Sequence, residues 1–186
     1  MNKKKILVGS PTNNQVVIHN NSDLVLIAGP CAIETREHSM RMADLIGQVC
    51  RKVGMQWIFK ACYDKDCRSA PTSFHGLGLE EGLRVLSEVR SEHGIPVTSD
   101  FSDPSWGAAT GEVCDLIQVP AYLCRQTSIL RAAAETGKPV HLKKGQFMSP
   151  WNMKNSCRKL ESFGSSEIML TDRGTFFGYN MLVNDM

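Results

Sequence analysis

The sequence predicts an α/β fold of repeating strand–helix units, as in a TIM (β/α)8 barrel. Short apolar, β-branched runs alternate with longer amphipathic stretches, at the spacing of parallel βαβ units. Nearly every predicted strand also ends in a polar or charged side chain, which is where a TIM barrel carries its active-site groups. These strand-end residues are Cys31, Lys60, Asp100, Gln118, Lys143 and Arg173.

The repeating elements can be placed in order along the chain. Strands are predicted at 24–28, 57–59, 96–99, 116–119, 140–142 and 168–170, and helices at 37–53, 79–89, 127–135 and 150–163. Thr127 is the predicted N-cap of the third of these helices. Residues 6–8 and 15–18 flank a turn that begins at Pro11 and predict a β-hairpin. We therefore expect a single partial barrel domain, with 1–23 as an N-terminal hairpin cap and 24–186 as βα units.

The length of the chain bears on this prediction. A complete barrel has eight strands and roughly 250 residues, whereas this chain has 186 residues. Only about the first six strands are expected, so two sheet edges would be open to pairing. The chain is then a fragment, a subunit whose partners cover the gap, or a decayed relative. A doubly wound open sheet is the other architecture, but Gly76, Gly78 and Gly82 have the wrong spacing for a dinucleotide-binding loop.

Composition excludes several classes of function. The net charge of +2 is too weak to favour a nucleic acid or an acidic membrane as partner. No apolar run has the length of a signal-peptide core or of a membrane span, so a cytoplasmic location is expected. The 7 scattered cysteines do not describe a disulfide framework and are interpreted as reduced thiols. No nucleotide or organic cofactor is expected.

The segment from 59 to 69 carries Lys60, Lys65, Arg68 and Ser69 just beyond a strand. Fixed ammonium and guanidinium groups bind phosphate oxygens through charge-assisted hydrogen bonds. This pattern indicates a site for a sugar phosphate or a phosphorylated acid. The alternative is a solvated loop, in which such residues are common.

Three further cations follow successive strands. By strand alternation Lys143 shares a face with His141, and a lysine on the interior face of a barrel is costly unless an anion meets it. Arg125 and Arg173 follow the neighbouring strands, so a barrel would bring the three cations to one rim as a phosphate clamp. A structural ion pair at Lys143 is the competing interpretation.

For two strand-end residues, Asp100 and Cys31, the sequence pattern leaves two interpretations open. Asp100 could bind a sugar hydroxyl or cap the following turn. Cys31 could be a small core residue, or a metal ligand if histidine or carboxylate groups converge on it.

Several motifs together resemble the 3-deoxy-D-manno-octulosonate 8-phosphate synthase family of phosphoenolpyruvate-dependent synthases. The resemblance is collinear from about residue 24 to residue 186. It is carried by the segments 27–34, 59–69, 78–82, 117–121, 125–127, 143–147, 172–174 and 177–180.

The resemblance implies a TIM barrel that assembles as a homotetramer. It also implies a transferase that condenses phosphoenolpyruvate with D-arabinose 5-phosphate and water, for a sugar of the lipopolysaccharide core. Matched by motif, Lys60, Asp100 and Lys143 are the catalytic residues. Phosphoenolpyruvate would be held by Lys65, Arg125, Lys143 and Arg173. The sugar phosphate would face Lys60, Asp100, Arg68 and Ser69, with Gln118 lining the pocket and Arg68 and Ser69 able to reach a neighbouring subunit's site.

Cys31 places the sequence with the members of the family that need a divalent metal ion. The resemblance puts its histidine, glutamate and aspartate co-ligands in strands beyond residue 186. The chain departs from the family at Cys67, His75 and Ser102, where asparagine, arginine and histidine are usual. Two alternatives therefore stay open: an inactive relative that binds sugar phosphate or a partner subunit, and a sister synthase making sialic acid or a heptulosonate phosphate.

Overall fold

The computed structural model describes residues 5–11, 15–176 and 178–184. These residues form two compact units. The first contains residues up to Ser99 together with Glu112–Leu116, and the second contains Asp100–Gly111 and the chain from Ile117 onward.

The first unit begins with the predicted hairpin. Strands β1 (Ile6–Val8) and β2 (Val16–Ile18) pair antiparallel, with Ile6 opposite Ile18. The predicted turn residues 12–14 lie outside the described residues. Parallel strands alternate with helices after the hairpin: β3 (Val25–Ala28), α1 (Arg36–Val53), β4 (Gln56–Lys60), α2 (Leu79–His93) and β5 (Val97–Asp100).

Local chemistry explains where α1 begins and ends. The hydroxyl of Thr35 accepts a hydrogen bond from the backbone N–H of His38, which satisfies one of the free donors of the first turn. Gly54 then takes a left-handed conformation with φ of 68°, which closes the helix. On the outer face Arg36 of α1 binds Glu88 at 2.5 Å and Glu92 at 3.1 Å, so α1 is tied to α2.

The second unit repeats the same pattern. Its parallel strands and helices are β6 (Leu116–Val119), α4 (Thr127–Glu135), β7 (Val140–Lys143), α5 (Met153–Ser162) and β8 (Ile168–Thr171). The register places Ile117 beside Val140, and Val140 beside Ile168. Ile117, Leu142 and Leu160 are fully buried and form part of its core.

Parallel strands in sequence order with helices between them confirm the predicted α/β fold, a partial TIM barrel preceded by an antiparallel hairpin. Most element bounds agree with the predictions within two residues. The helix predicted at 79–89 continues to His93, and the one predicted at 150–163 begins as a 3₁₀ turn at Pro150–Asn152. None of the helices in the described residues has the length and apolar character needed to cross a membrane.

Three features differ from the sequence prediction or were missed. Thr127 is not an N-cap: Gln126 occupies that position, and the Thr127 hydroxyl accepts a hydrogen bond from Lys159 at 2.8 Å. A 3₁₀ turn at Pro104–Trp106 leads into α3 (Gly107–Val113), a helix that the sequence analysis did not predict. A short antiparallel pair, β9 (Thr175–Phe176) with β10 (Leu182–Val183), follows β8.

Candidate active site

In the first unit, the backbone is packed tightly around the carboxyl end of β4. Gly29 follows β3, and a Cβ atom there would lie 2.0 Å from the carbonyl oxygen of Lys60. The backbone N–H of Ile33 donates to the carbonyl of Cys62 at 2.9 Å, which holds the segment after β3 beside the segment after β4. Cys31 lies between these two contacts and is exposed.

Lys60 is the last residue of β4 and is half-buried. Its ammonium group donates to the sulfur of Cys62 at 3.0 Å, and Cys62 is fully buried. A thiol is a weak acceptor. This contact holds the ammonium beside the strand end.

The cationic loop after β4 is anchored at its base. The N–H of Lys65 donates to the carbonyl of His75 at 2.6 Å, and the N–H of Gly78 donates to the carbonyl of Tyr63 at 3.0 Å. Beyond these bonds Cys67, Arg68 and Ser69 are exposed, while Lys65 is half-buried. An open depression of about 570 Å³ is lined by Arg68 together with Glu34, Ser73 and Phe74. The sequence-predicted loop residues thus face solvent on a fixed base.

In the second unit, a chain of side-chain hydrogen bonds crosses three neighbouring strands. The amide nitrogen of Gln118 in β6 lies 2.9 Å from Nδ1 of His141 in β7, and Nε2 of His141 contacts the hydroxyl of Thr171 in β8. With the amide donating to Nδ1, the imidazole proton lies on Nε2 and is donated to Thr171. His141 is 6% exposed and Gln118 is 3% exposed.

The carbonyl oxygen of Gln118 is buried and accepts no hydrogen bond from any described residue. A buried acceptor without a donor costs free energy. This oxygen is therefore ready to accept a hydrogen bond from a water molecule or from a ligand hydroxyl. Sequence reasoning named Gln118 but missed its link to His141, although strand alternation already placed His141 and Lys143 on one face.

Lys143 is the last residue of β7, half-buried, and in register with Thr171 of β8. Its neighbour Lys144 is 3% exposed, and its ammonium group is surrounded by oxygens. It donates to the carbonyls of Gly174 at 2.6 Å and Met148 at 3.2 Å, and lies 3.4 Å from a carboxylate oxygen of Asp172. Sequence reasoning assigned no role to Lys144.

The segment that follows β8 is stabilised by Asp172. One carboxylate oxygen of Asp172 accepts the backbone N–H of Arg173 at 2.8 Å and that of Gly174 at 3.2 Å. Desolvation tends to raise the pKa of Asp172, but these two N–H groups and the Lys144 ammonium together lower it. Arg173 itself is half-buried.

The remaining two predicted residues belong to the second unit. Asp100 ends β5 and is 6% exposed. Arg125 is exposed after the 3₁₀ turn Ala121–Leu123, and its carbonyl accepts a hydrogen bond from Lys159 of α5 at 3.0 Å. Each of the predicted strand-end residues therefore lies at, or within a few residues of, the carboxyl end of its strand.

Cys31 is the residue for which a metal-ligand role is predicted. Among the described residues, no three histidine, cysteine, aspartate or glutamate side chains lie close enough together to hold a metal ion. A catalytic zinc-type site needs about three protein ligands. A role of Cys31 as a ligand of a divalent metal ion stays a prediction.

Parallel βα units with functional side chains at the carboxyl ends of their strands define a protein of the TIM-barrel class. The chain belongs to the DAHP synthetase I family, whose model matches residues 5–186.

Curated relatives agree with this assignment. The chain is 44% identical over 181 residues to a protein of Desulfotalea psychrophila, covering 97% of this chain and 65% of that protein. It is 50% identical over 163 residues to one of Protochlamydia amoebophila, covering 88% and 59%. It is 47% identical over 173 residues to one of Rickettsia typhi, covering 93% and 63%. All three relatives are named 2-dehydro-3-deoxyphosphooctonate aldolase. The chain thus spans about three fifths of the length of these relatives.

Proposed function

We propose that the chain acts in the condensation of phosphoenolpyruvate with D-arabinose 5-phosphate and water, which yields 3-deoxy-D-manno-octulosonate 8-phosphate and inorganic phosphate. The observation that carries this proposal is the 44–50% identity to relatives named for the same eight-carbon product. The cations at the carboxyl ends of β4, β7 and β8 support it, since both substrates carry a phosphate group.

The proposed chemistry forms one carbon–carbon bond. C3 of the enol attacks the aldehyde carbon of the sugar phosphate, and the aldehyde oxygen takes up a proton as it becomes a hydroxyl. Water adds to C2, where positive charge develops, and loses a proton. The bond between C2 and the phosphate ester oxygen then breaks, the C2 hydroxyl becomes the ketone as it loses its proton, and inorganic phosphate leaves with that proton. No net oxidation occurs, and the protein has to position two anions and stabilise charge.

Roles in the second unit follow from the strand ends. Lys143, Arg173 and Arg125 are proposed to bind the phosphate and carboxylate of phosphoenolpyruvate. The family resemblance assigns the same substrate to Lys65. Gln118 lines the pocket, where its free carbonyl oxygen would accept a hydrogen bond from a substrate hydroxyl or from water. Asp100 is proposed to bind a hydroxyl of the sugar.

Roles in the first unit concern the sugar phosphate. Lys60 ends β4, where its ammonium group contacts the Cys62 sulfur, and it is proposed to lie at the aldehyde end of the sugar. Arg68 and Ser69 are exposed on the anchored loop and are proposed to bind the sugar's phosphate, in a neighbouring subunit's site if the chain forms the homotetramer expected of the family. Light scattering of the purified chain measures that assembly.

The decisive experiment is release of inorganic phosphate from phosphoenolpyruvate, with and without arabinose 5-phosphate, in added divalent metal and then in chelator. We expect release that requires the sugar phosphate. The variant Lys143→Met is expected to lower kcat/KM by at least about 100-fold. Lys154→Met, which changes an exposed lysine on α5, serves as the matched control. Phosphate release without the sugar phosphate, or none at all, contradicts the proposal.

A second candidate is a binding relative without turnover. It is favoured by Cys67, which is exposed in the loop with Arg68 and Ser69 and stands where the family usually has asparagine. Calorimetric titration separates the two functions. Heat of binding for arabinose 5-phosphate or phosphoenolpyruvate, without phosphate release from the mixture, establishes the binding function alone.

A further inference from the structure

Lys144 is the most completely enclosed cation among the described residues of the second unit. It is 3% exposed, and five oxygen atoms lie within 3.4 Å of its ammonium nitrogen. The oxygens belong to Gly145, Met148, Asp172, Gly174 and Thr175. A buried charge is costly unless it is paired and hydrogen-bonded. This set of oxygens satisfies that requirement without any ligand.

The five oxygens come from two segments of chain. Gly145 and Met148 belong to the loop after β7, whereas Asp172, Gly174 and Thr175 belong to the loop after β8. Two backbone bonds connect the same loops: Lys144 N–H to the carbonyl of Thr171 at 2.9 Å, and Phe176 N–H to the carbonyl of Gln146 at 3.2 Å. The Lys144 ammonium is thus the central cross-link between the two loops.

Arg173 lies in the middle of the cross-linked segment. Asp172 before it and Gly174 after it both contact the Lys144 ammonium. A Cβ on Gly174 would lie 2.2 Å from the Asn184 side chain, so this part of the backbone is also packed from the other side. The direction of the Arg173 guanidinium therefore depends on a backbone that Lys144 holds.

We propose that Lys144 is a positioning residue that acts through Arg173. It fixes the segment 172–175 so that the Arg173 guanidinium is presented to the phosphate or carboxylate of an anionic substrate without an entropic cost at binding. Lys144 itself does not touch the substrate, because its donors are already used. This inference rests on the proposed function for the identity of the substrate, but the cross-link itself does not.

The first test is hydrogen exchange measured by mass spectrometry on the intact chain. In Lys144→Met, the peptide spanning 172–176 is expected to exchange at least about tenfold faster than in the wild type. A peptide within α4 should be unchanged, and Lys154→Met should leave both peptides unchanged. Unaltered exchange of 172–176 in a folded Lys144→Met protein would overturn the proposal.

The second test is a double-mutant cycle read by calorimetric titration with phosphoenolpyruvate. Lys144→Met and Arg173→Met are each expected to weaken binding by at least about tenfold, and the double variant to be no weaker than Arg173→Met alone. A purely structural role of Lys144 would instead add its effect in the Arg173→Met background. Additive effects therefore contradict positioning through Arg173.

A milder variant keeps the proposal testable if Lys144→Met does not fold. Asp172→Asn keeps an oxygen that can accept the N–H groups of Arg173 and Gly174 but removes the charge that faces Lys144. We expect it to change exchange and binding in the same direction as Lys144→Met, by a smaller factor. A folded Asp172→Asn protein with wild-type exchange and binding contradicts the proposal.

The two proposals fail in different ways. If the wild type does not bind phosphoenolpyruvate, the proposed function is wrong, and the exchange data still decide whether Lys144 holds the segment. If the wild type binds it and Lys144→Met binds equally well, the proposed function stands and the positioning role is wrong.

Discussion

Three glycines around the end of β4 lie where a side chain would not fit. A Cβ atom on Gly29 would lie 2.0 Å from the Lys60 carbonyl oxygen, and one on Gly76 would lie 2.2 Å from the Tyr63 carbonyl oxygen. On Gly82 it would lie 2.2 Å from Cβ of Tyr63. These contacts fix the backbone from Lys60 to Tyr63 on several sides, and with it the direction in which Lys60 leaves the strand.

We expect Gly29→Ala to destabilise the protein by about 3 kcal/mol, because the added methyl group meets rigid backbone. Gly54→Ala is the control. Gly54 also has positive φ, 68°, but no atom lies within 4 Å of its added Cβ. Gly54→Ala should therefore destabilise the protein only through the conformational strain of alanine at positive φ, by about 1 kcal/mol. Urea denaturation of both variants measures the difference, and equal losses would argue against a steric role for Gly29.

Sequence reasoning could find side chains but not their partners. Lys60, Lys143 and Arg173 were predicted because a charge at the end of an apolar strand is visible in the sequence. The burial of the Lys144 ammonium among oxygen atoms was not predicted, because four of its five partners are backbone or hydroxyl oxygens. A pattern of charged residues in the sequence does not show such partners. The bond between Gln118 and His141 depends on the register of β6 against β7, which strand alternation alone does not fix.

At the level of elements, α1 and α2 are joined by a network of ion pairs on their outer face. Glu88 accepts from both Arg36 and Arg84, and Arg84 also binds Glu81. The hydrogen bond and the charge of Arg36, with that of Arg84, lower the pKa of Glu88 against the opposing effect of desolvation. Arg84 and Glu81 are exposed and Arg36 and Glu88 are half-buried, so solvent screens the pairs and each contributes little to stability.

A group with a lowered pKa stabilises the fold at a pH above its ordinary value, 4.5 for glutamate. That stability is lost as the pH falls through the lower value in the folded state. We therefore expect Glu88→Gln to be less stable than the wild type at pH 7 and equally stable well below pH 4.5. Denaturant titrations across this range test it, and the difference should shrink in high salt. A difference that persists at low pH would mean that packing, not charge, is involved.

Helix α3 packs against α4 through glycines. A Cβ on Gly111 would lie 2.8 Å from Cβ of Thr136, and one on Gly107 would lie 3.0 Å from Cβ of Ala132. These glycines, one helical turn apart, also explain why the helix was missed. Glycine has a low helix propensity, and the segment 107–113 lacks large apolar residues that would mark a buried face.

The variant Gly111→Ala separates the effect of helix propensity on stability from the effect of the packing of α3 against α4. Propensity alone would stabilise the helix by about 1 kcal/mol, whereas the contact with Thr136 should cost about 1–3 kcal/mol. We expect a net loss of stability in thermal unfolding. Ala108→Gly, on the exposed side of α3, is the companion variant. It should destabilise the protein only through the lower helix propensity of glycine. A stabilised Gly111→Ala protein would show that the two helices can move apart at little cost.

Other elements were predictable because their patterns are strong. The apolar spacing of α1 and the runs of β3, β6 and β7 located these elements within two residues. The pair β9 and β10 was not predictable, since two-residue strands are shorter than any period that a sequence pattern can reveal. Its position depends on the register that pairs Leu182 with Phe176.

At the scale of the whole molecule, the reactivity of the seven cysteine thiols should distinguish the folded from the unfolded protein. Cys31 and Cys67 are exposed, Cys157 is half-buried, and Cys50, Cys62, Cys114 and Cys124 are buried. Burial raises the pKa of the Cys50, Cys124 and Cys157 thiols, which lowers the fraction of reactive thiolate. The thiols of the native protein should therefore fall into fast and slow classes.

We expect a thiol reagent to modify Cys31 and Cys67 rapidly in the native protein and the buried four only on unfolding, with Cys157 between these classes. Stopped-flow labelling with peptide mapping measures the classes. Arabinose 5-phosphate should slow labelling of Cys67 if the loop with Arg68 and Ser69 binds the sugar's phosphate. Rapid modification of Cys62 in the native state would contradict the packing around the end of β4.

The packing of Gly29, Gly76 and Gly82 also limits how this gene can change. Every single-nucleotide change that replaces glycine with another amino acid adds at least a Cβ atom. At these three positions that atom meets backbone or the base of a side chain within 2.2 Å. No single substitution at these positions is then neutral for folding. In a library of all single substitutions selected for folding, these three codons should be nearly fixed, while the codons of Arg68 and Ser69 should vary freely until selection for activity is applied.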